Sequence, residues 1–163
     1  VIRDTWVFDN VCKKISKGAT FWGIMDACRS GTALDLKFNV KSQCKRIIPS
    51  TNKQYIESEW SDKYIFTMTK SDQIQGAVFG LSGCMDSEKS ADASFNREAN
   101  GAFTKCLLDT IVSYPNELPT LLKLLTEVNA RLDLYGFFTQ TPQLSISDFK
   151  FLESRLFDSV DSV

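Results

Sequence analysis

The chain of 163 residues contains no histidine. A zinc site built from cysteine and histidine ligands is therefore excluded. No apolar run reaches the roughly 18 residues that a membrane span needs, and no signal-peptide pattern opens the chain. The net charge is -1, and the basic residues are dispersed apart from Lys13-Lys14 and Lys45-Arg46. No sequence pattern therefore predicts a membrane span. We also expect no nucleic-acid partner, because the chain lacks the basic stripe that nucleic acid requires.

The cysteines also lack a pattern. Their number is odd and no pair has C-x-x-C spacing, which suits reduced thiols better than disulfides. A cytoplasmic or other reducing compartment is the expectation. The five cysteines are Cys12, Cys28, Cys44, Cys84 and Cys106.

Length and hydrophobicity predict one domain over residues 1–163. Hydrophobic residues make up 43% of the chain, enough for one core in a chain that is short for two. Apolar strand patterns alternate with helical ones, which favours an α/β sheet. Strands are predicted at 19–27, 77–81 and 143–146, and helices at 4–17, 102–112 and 118–132. The spacing of apolar residues at 64–68 fits either a strand or a helix. The polar segment 39–61 predicts a flexible loop.

The most informative segment spans residues 21–31, where an apolar strand runs into a tight turn. The strand is almost continuously apolar, as in a parallel strand covered on both faces. Catalytic groups collect at the carboxyl ends of such strands, and Cys28 lies there. Side chains repeat every two residues along a strand, so Asp26 and Cys28 point to the same side if the backbone stays extended. On spacing alone, a lone cysteine in a Gly-bounded turn is more often structural than catalytic.

Four blocks resemble the metacaspases, the caspase-like cysteine peptidases. Residues 26–36 (DACRSGTALDL) resemble the nucleophile segment D-S-C-H-S-G-T-A-L-D-L-P. Residues 82–93 (SGCMDSEKSADA) resemble S-G-C-x-D-x-Q-T-S-A-D-A, and residues 140–145 (QTPQLS) resemble Q-x-P-Q-L-S. Residues 101–103 match the G-A-[MF] start of a helix. The resemblance implies a caspase-like α/β fold with a mostly parallel central sheet flanked by helices.

The resemblance also implies a reaction. Cys28 is the expected nucleophile, and the imidazole that takes its proton lies in an upstream H-G-H stretch of the family. This chain has no such stretch, so we expect the N-terminal strands and the histidine to belong to an upstream part of the same domain. Alone, the chain should be inactive.

The substrate pocket is expected at Asp26, the acid that makes the family prefer Arg or Lys before the scissile bond. A recessed carboxylate can hold a guanidinium by paired, charge-assisted hydrogen bonds. The alternative is a carboxylate that caps backbone N–H groups at the strand end. Asp86 and Asp92 either line the same cleft or solvate a loop.

Two further family features map onto this sequence. Members of the family cleave themselves after basic residues in the loop between the large- and small-subunit regions, here residues 39–61. The resemblance therefore implies candidate self-cleavage sites at Lys45, Arg46 and Lys53. Alternatively, these residues are ordinary solvated charges of a loop. The family's calcium site places Asp35 and Asp4 as ligands, although Thr5 replaces a second acid and Asp4 serves equally well as a helix N-cap. Calcium takes six to eight oxygens, so the loss of an acid weakens that expectation.

Several departures favour a rival hypothesis, in which the domain is a pseudo-enzyme that acts as a structural or interaction module. Arg29 stands where the family usually has histidine, and Glu88-Lys89 replaces Gln-Thr. The residue replaced by Arg29 is not the proton acceptor, and a neighbouring guanidinium favours a thiolate. The primary expectation is therefore a cysteine endopeptidase that cleaves polypeptides after Arg or Lys.

Overall fold

The computed structural model describes residues 4–26, 34–42, 64–68, 74–83, 92–95, 98–136 and 140–158. Its helices are α1 (Asp4–Asn10), α2 (Ala102–Val112) and α3 (Leu121–Leu134), with short 3₁₀ turns at Cys12–Lys14 and Phe149–Phe151. Its strands are β1 (Thr20–Met25), β2 (Phe38–Ser42), β3 (Tyr64–Met68), β4 (Ala77–Ser82), β5 (Asp92–Phe95), β6 (Glu98–Gly101) and β7 (Gln143–Ile146). None of the helices in these ranges is both long enough and apolar enough to cross a membrane.

Five strands form the main sheet, in the order β1-β4-β7-β2-β3. β1 and β4 run parallel, whereas β4–β7, β7–β2 and β2–β3 are antiparallel pairs. β5 and β6 form a separate antiparallel pair immediately before α2. The α/β prediction is confirmed, but the described sheet is mixed rather than mostly parallel. The sheet is mixed because β7 lies between β4 and β2 and is antiparallel to both.

Two apolar clusters cover opposite faces of this sheet, because neighbouring strand residues point to opposite sides. Phe79 and Leu81 pack against α2 and α3, while Val78 packs with Leu34 and Phe8 on the side of α1. Every residue of β4 is buried, as expected of a strand with neighbours on both sides and layers on both faces.

The strand predicted at 19–27 forms as β1 and pairs in parallel with β4. Among the described strands it is the last of the sheet, and Ile24 is 43% exposed. Trp22 joins it to the core by stacking on Phe79, with ring centroids 4.1 Å apart. Trp22 is only partly buried against the core, and the full burial expected from the apolar run is not reached in the part described.

Several predicted boundaries are confirmed and others shift. The helix at 102–112 and the strand at 143–146 form as predicted, and residues 64–68 are a strand. The predicted helix 4–17 ends early, giving way to a 3₁₀ turn before Gly18, whose φ of 83° permits the turn into β1. Residues 39–42, placed at the start of the predicted loop, belong to β2. The loop's remainder, 43–61, lies outside the described residues and stays a prediction.

Candidate active site

The carboxyl ends of β1 and β4 lie side by side. Met25 is in register with Ser82, and the backbone N–H of Gly83 donates to the carbonyl of Met25 at 3.0 Å. Asp26 follows β1 directly, so its side chain starts at the same edge of the sheet as the Gly83 turn. Side chains that leave parallel strands at this edge are well placed to share one site.

The Asp26 carboxylate reaches the first turn of α2. Its Oδ2 atom accepts two hydrogen bonds from Thr104, one from the backbone N–H at 2.9 Å and one from the hydroxyl at 2.8 Å. Thr104 is the third residue of α2, whose N-cap residue, Gly101, has no side chain to satisfy these N–H groups. Asp26 therefore caps α2 from 78 residues away in sequence. This is the contact that the alternative interpretation of Asp26 anticipated, and it fixes where the carboxylate lies.

Gly101 makes room for this carboxylate. A Cβ atom on Gly101 would lie 1.8 Å from Oδ2 of Asp26, far inside any permitted contact. The backbone of Gly101, with φ -62° and ψ 138°, is one that any residue adopts. Glycine is required here by the closeness of Asp26 and not by backbone conformation.

The β5–β6 hairpin brings Asp92 to the same place. Asp92 is the register partner of Gly101, so the two Cα atoms lie roughly 4.5–5.5 Å apart. Since Gly101 touches the Asp26 carboxylate, two of the three predicted substrate-binding acids lie on elements that meet. Only the backbone of Asp92 is described, and Asp86 lies outside the described residues.

The block at residues 140–145 also contributes a residue to this edge of the sheet, next to Gly83 and the start of α2. A Cβ atom on Gly83 would lie 2.7 Å from Cβ of Phe103 and 2.9 Å from Nε2 of Gln140, which is buried. Residues from all four blocks that resemble the metacaspases are therefore in contact around the start of α2. We call this set, namely Asp26, Gly83, Gly101, Phe103, Thr104 and Gln140, the strand-end cluster.

Cys28, the predicted nucleophile, follows Asp26 by two residues and lies outside the described residues, as do Lys45, Arg46 and Lys53. Sequence reasoning missed Thr104, because a contact between residues 78 positions apart leaves no local pattern. The one available signal was the block at 101–103, which predicted a helix start without naming what caps it.

Two other thiols are described and both are poor nucleophiles. Burial, with a smaller contribution from the charge of Asp35, raises the pKa of Cys12 to about 11. Burial, with the charge of Asp109, raises the pKa of Cys106 to about 12. At pH 7 a thiol with a pKa of 11 is ionised in about one molecule in ten thousand, so these cysteines are inert toward substrates.

The two expected calcium ligands lie on different parts of the chain: Asp4 begins α1, and Asp35 lies just before β2. Asp35 is half-buried near Cys12, whose thiol lies 4.0 Å from the carbonyl of Leu34. Asp4 is eight residues before Cys12 in the sequence, at the opposite end of the segment formed by α1 and the 3₁₀ turn. Within the described ranges, no three His, Cys, Asp or Glu residues are grouped so as to hold a metal ion. Calcium binding stays a prediction that these residues alone do not fulfil.

A family model for the caspase domain matches residues 3–152. Among curated proteins, the chain is 27% identical to Metacaspase-1B of Aspergillus fumigatus, over 90% of this chain and 41% of that protein. It is 29% identical to Metacaspase-1 of Eremothecium gossypii and 27% identical to Metacaspase-1 of Yarrowia lipolytica, again over 90% of this chain. The matches cover 38% and 37% of those proteins, so the chain spans about two fifths of its curated relatives.

One solved structure, a protein from Geobacter sulfurreducens, overlaps 56% of this chain and 33% of its own, with a TM-score of 0.43 and 26% identity. A partial likeness of this size does not by itself establish a shared fold. The family match extends from α1 through β7 to the 3₁₀ turn at Phe149–Phe151 and so includes the strand-end cluster.

Proposed function

The chain belongs to the caspase-domain family of cysteine peptidases, and from this premise we propose that it carries the nucleophile and the substrate pocket of a metacaspase-like endopeptidase. The observation that carries the proposal is the strand-end cluster. Blocks that are widely separated in sequence meet around Asp26, two residues before Cys28. A peptidase needs its nucleophile beside the pocket that orients the substrate, and we propose that Asp26, so near to Cys28 in the sequence, belongs to that pocket.

In the proposed reaction the Cys28 thiolate attacks the carbonyl carbon of the scissile peptide bond. An imidazole takes the thiol proton and returns it to the leaving amine, so that a thioester to Cys28 forms as the C–N bond breaks. Water then hydrolyses the thioester and regenerates the thiol. Backbone N–H groups near Gly31, or in the segment that carries the histidine, stabilise the oxyanion. The chain contains no histidine, so the imidazole comes from another segment, which we propose to be the upstream part of the same domain.

Substrate preference follows from the carboxylate of Asp26. A negative charge held at the pocket attracts Arg or Lys before the scissile bond and repels Asp or Glu. Asp92, on the neighbouring strand β5, and Asp86 are further candidates for the same pocket. Polypeptides with basic residues are therefore the proposed substrates.

The test is a peptide-library cleavage profile of the complete catalytic domain and its Asp26→Asn variant. The wild-type domain is expected to cleave after Arg or Lys, and the variant to lose at least tenfold in kcat/KM for both. Asp148→Asn is the matched control, because Asp148 accepts from the Lys150 N–H at the exposed 3₁₀ turn, a role that asparagine also fills. Cleavage after Asp by the wild-type domain would refute the pocket assignment.

We further propose that the domain processes itself in the segment between β2 and β3. Lys45, Arg46 and Lys53 lie there, and each has the side chain that the proposed pocket accepts. Mass spectrometry of the purified domain should find new termini after one of these residues. The Cys28→Ala variant should stay uncut, and cutting in that variant would point to a contaminating protease.

The pseudo-enzyme alternative is supported by specific residues. Arg29 replaces the usual histidine, and Glu88-Lys89 and Thr5 depart from the family pattern. In that case the Asp26–Thr104 contact has a structural role alone and the domain binds partners without cleaving them. The same cleavage profile decides between the two, because a pseudo-enzyme would show no turnover that Cys28→Ala abolishes.

A further inference from the structure

The carboxylate of Asp26 does not offer both of its oxygens to a ligand. An ionised carboxylate has about four lone-pair sites, two on each oxygen. At Oδ2, one site accepts the N–H of Thr104 and the other accepts its hydroxyl. The capacity of Oδ2 is therefore filled from within the protein, whatever Oδ1 contacts.

This occupancy matters for basic substrates, because Arg and Lys use a carboxylate differently. A guanidinium gains most from a fork in which two parallel N–H groups bind two oxygens. An ammonium acts as a point charge and needs a single oxygen. With Oδ2 filled, the fork is unavailable and the advantage of Arg over Lys is lost.

We propose that Thr104 is a positioning residue that sets the balance between Arg and Lys in the substrate pocket. Its backbone N–H holds the carboxylate in place, and its hydroxyl fills the last acceptor site of Oδ2. The pocket therefore accepts both basic side chains to a similar degree. This inference rests on the proposed function, since it assumes that Asp26 receives the substrate side chain.

The test compares kcat/KM for two fluorogenic peptides that differ in Arg or Lys before the scissile bond. In the wild-type catalytic domain the two values should agree within about tenfold. Thr104→Val removes the hydroxyl and keeps the backbone N–H, so it frees one site on Oδ2 without releasing the carboxylate. The ratio of Arg to Lys should then rise by about tenfold or more, the usual worth of one added charge-assisted hydrogen bond.

Two control variants separate this effect from a structural one. Thr104→Ser keeps the hydroxyl and should restore the wild-type ratio. Thr110→Val makes the same chemical change later in α2, where the hydroxyl donates to the carbonyl of Cys106 and not to Asp26. It should lower stability and leave the ratio unchanged. If Thr104→Val does not fold, Thr104→Ala removes the same hydroxyl with fewer atoms and carries the test.

The outcomes distinguish the inference from the proposed function. An unchanged Arg-to-Lys ratio in Thr104→Val, in a domain that still loses activity with Asp26→Asn, would overturn the role of Thr104 alone. Activity that survives Asp26→Asn would overturn the pocket assignment and the inference with it. A raised ratio in Thr104→Val together with a normal ratio in Thr104→Ser would support both.

Discussion

Gly101 lies directly against the carboxylate of Asp26, so closely that a methyl group on Gly101 would be 1.8 Å from Oδ2. The contact joins the last residue of β6 to the carboxyl end of β1. It also explains how a helix with a glycine N-cap is stabilised, because the side-chain oxygen comes from another element. The same carboxylate, that of Asp26, thus caps α2 and forms the proposed substrate pocket.

Gly101→Ala is expected to expel the Asp26 carboxylate from this position. Its backbone angles suit alanine, so the cost comes from the displaced carboxylate and the lost cap, about 1–2 kcal/mol in the free energy of unfolding. Cleavage after Arg and Lys should fall at least tenfold. Chemical denaturation and peptide hydrolysis measure the two effects.

The matched control for this substitution is Gly136→Ala. Gly136 has φ of 89° and nothing within 4 Å of an added Cβ, so alanine there costs backbone strain of about 1 kcal/mol without touching the site. If Gly101→Ala cleaved peptides as well as Gly136→Ala does, the closeness of Gly101 to Asp26 would have no bearing on activity.

Thiol labelling should single out Cys28 from the buried cysteines. Cys12 and Cys106 have pKa values raised to about 11 and about 12, chiefly by burial. Brief treatment of the native catalytic domain with iodoacetamide at pH 7.5, followed by peptide mapping, should therefore modify Cys28 and leave these two unmodified. Rapid modification of Cys106 in the native state would contradict the burial that we describe.

These same pKa shifts predict an alkaline loss of stability. Above pH 9 an unfolded chain releases the thiol protons, while the folded protein keeps them up to about pH 11 at Cys12 and about pH 12 at Cys106. The unfolded state then binds fewer protons, so the free energy of unfolding falls as pH rises through this window. Denaturant titrations at pH 8 and pH 10.5 should show a smaller loss in Cys106→Ala than in the wild type. An equal loss of unfolding free energy in the variant and the wild type would show that Cys106 does not contribute to the alkaline loss of stability.

Calcium binding, which the family resemblance implies, is expected to depend on Asp35. Asp35 has φ of 47°, a conformation that asparagine tolerates, so Asp35→Asn removes the charge and keeps the backbone. In titration calorimetry on the complete domain this variant should bind calcium at least tenfold more weakly than the wild type. No binding by the wild type up to millimolar calcium would show that the site has been lost, in keeping with Thr5.

The sequence predicted the elements with strong local signals. The helix at 102–112 has helical apolar spacing after a glycine, and β4 is apolar from Ala77 to Leu81, so local patterns predict both correctly. The sequence predicts a loop at residues 39–42 because three of these four residues are polar, yet they form most of β2. The β5–β6 pair was missed for a similar reason, since its short strands carry few apolar residues.

The candidate site was predicted in part. The resemblance pointed to Asp26 and Asp92, and the structure brings their elements together through Gly101. Local patterns could not predict that Thr104 fills one oxygen of Asp26, because that contact depends on how α2 packs against the end of β1.

The central claim is that Cys28 is the nucleophile and that its proton acceptor lies outside this chain. Peptidase chemistry needs a thiol and an imidazole within hydrogen-bond reach, and the chain has no histidine. The most direct measurement is hydrolysis of an Arg-terminated fluorogenic peptide by this chain alone and by the same chain co-expressed with the upstream part of the domain. We predict no turnover by the chain alone, and turnover with the upstream part that Cys28→Ala abolishes. Cys28-dependent turnover by the chain alone would contradict the account.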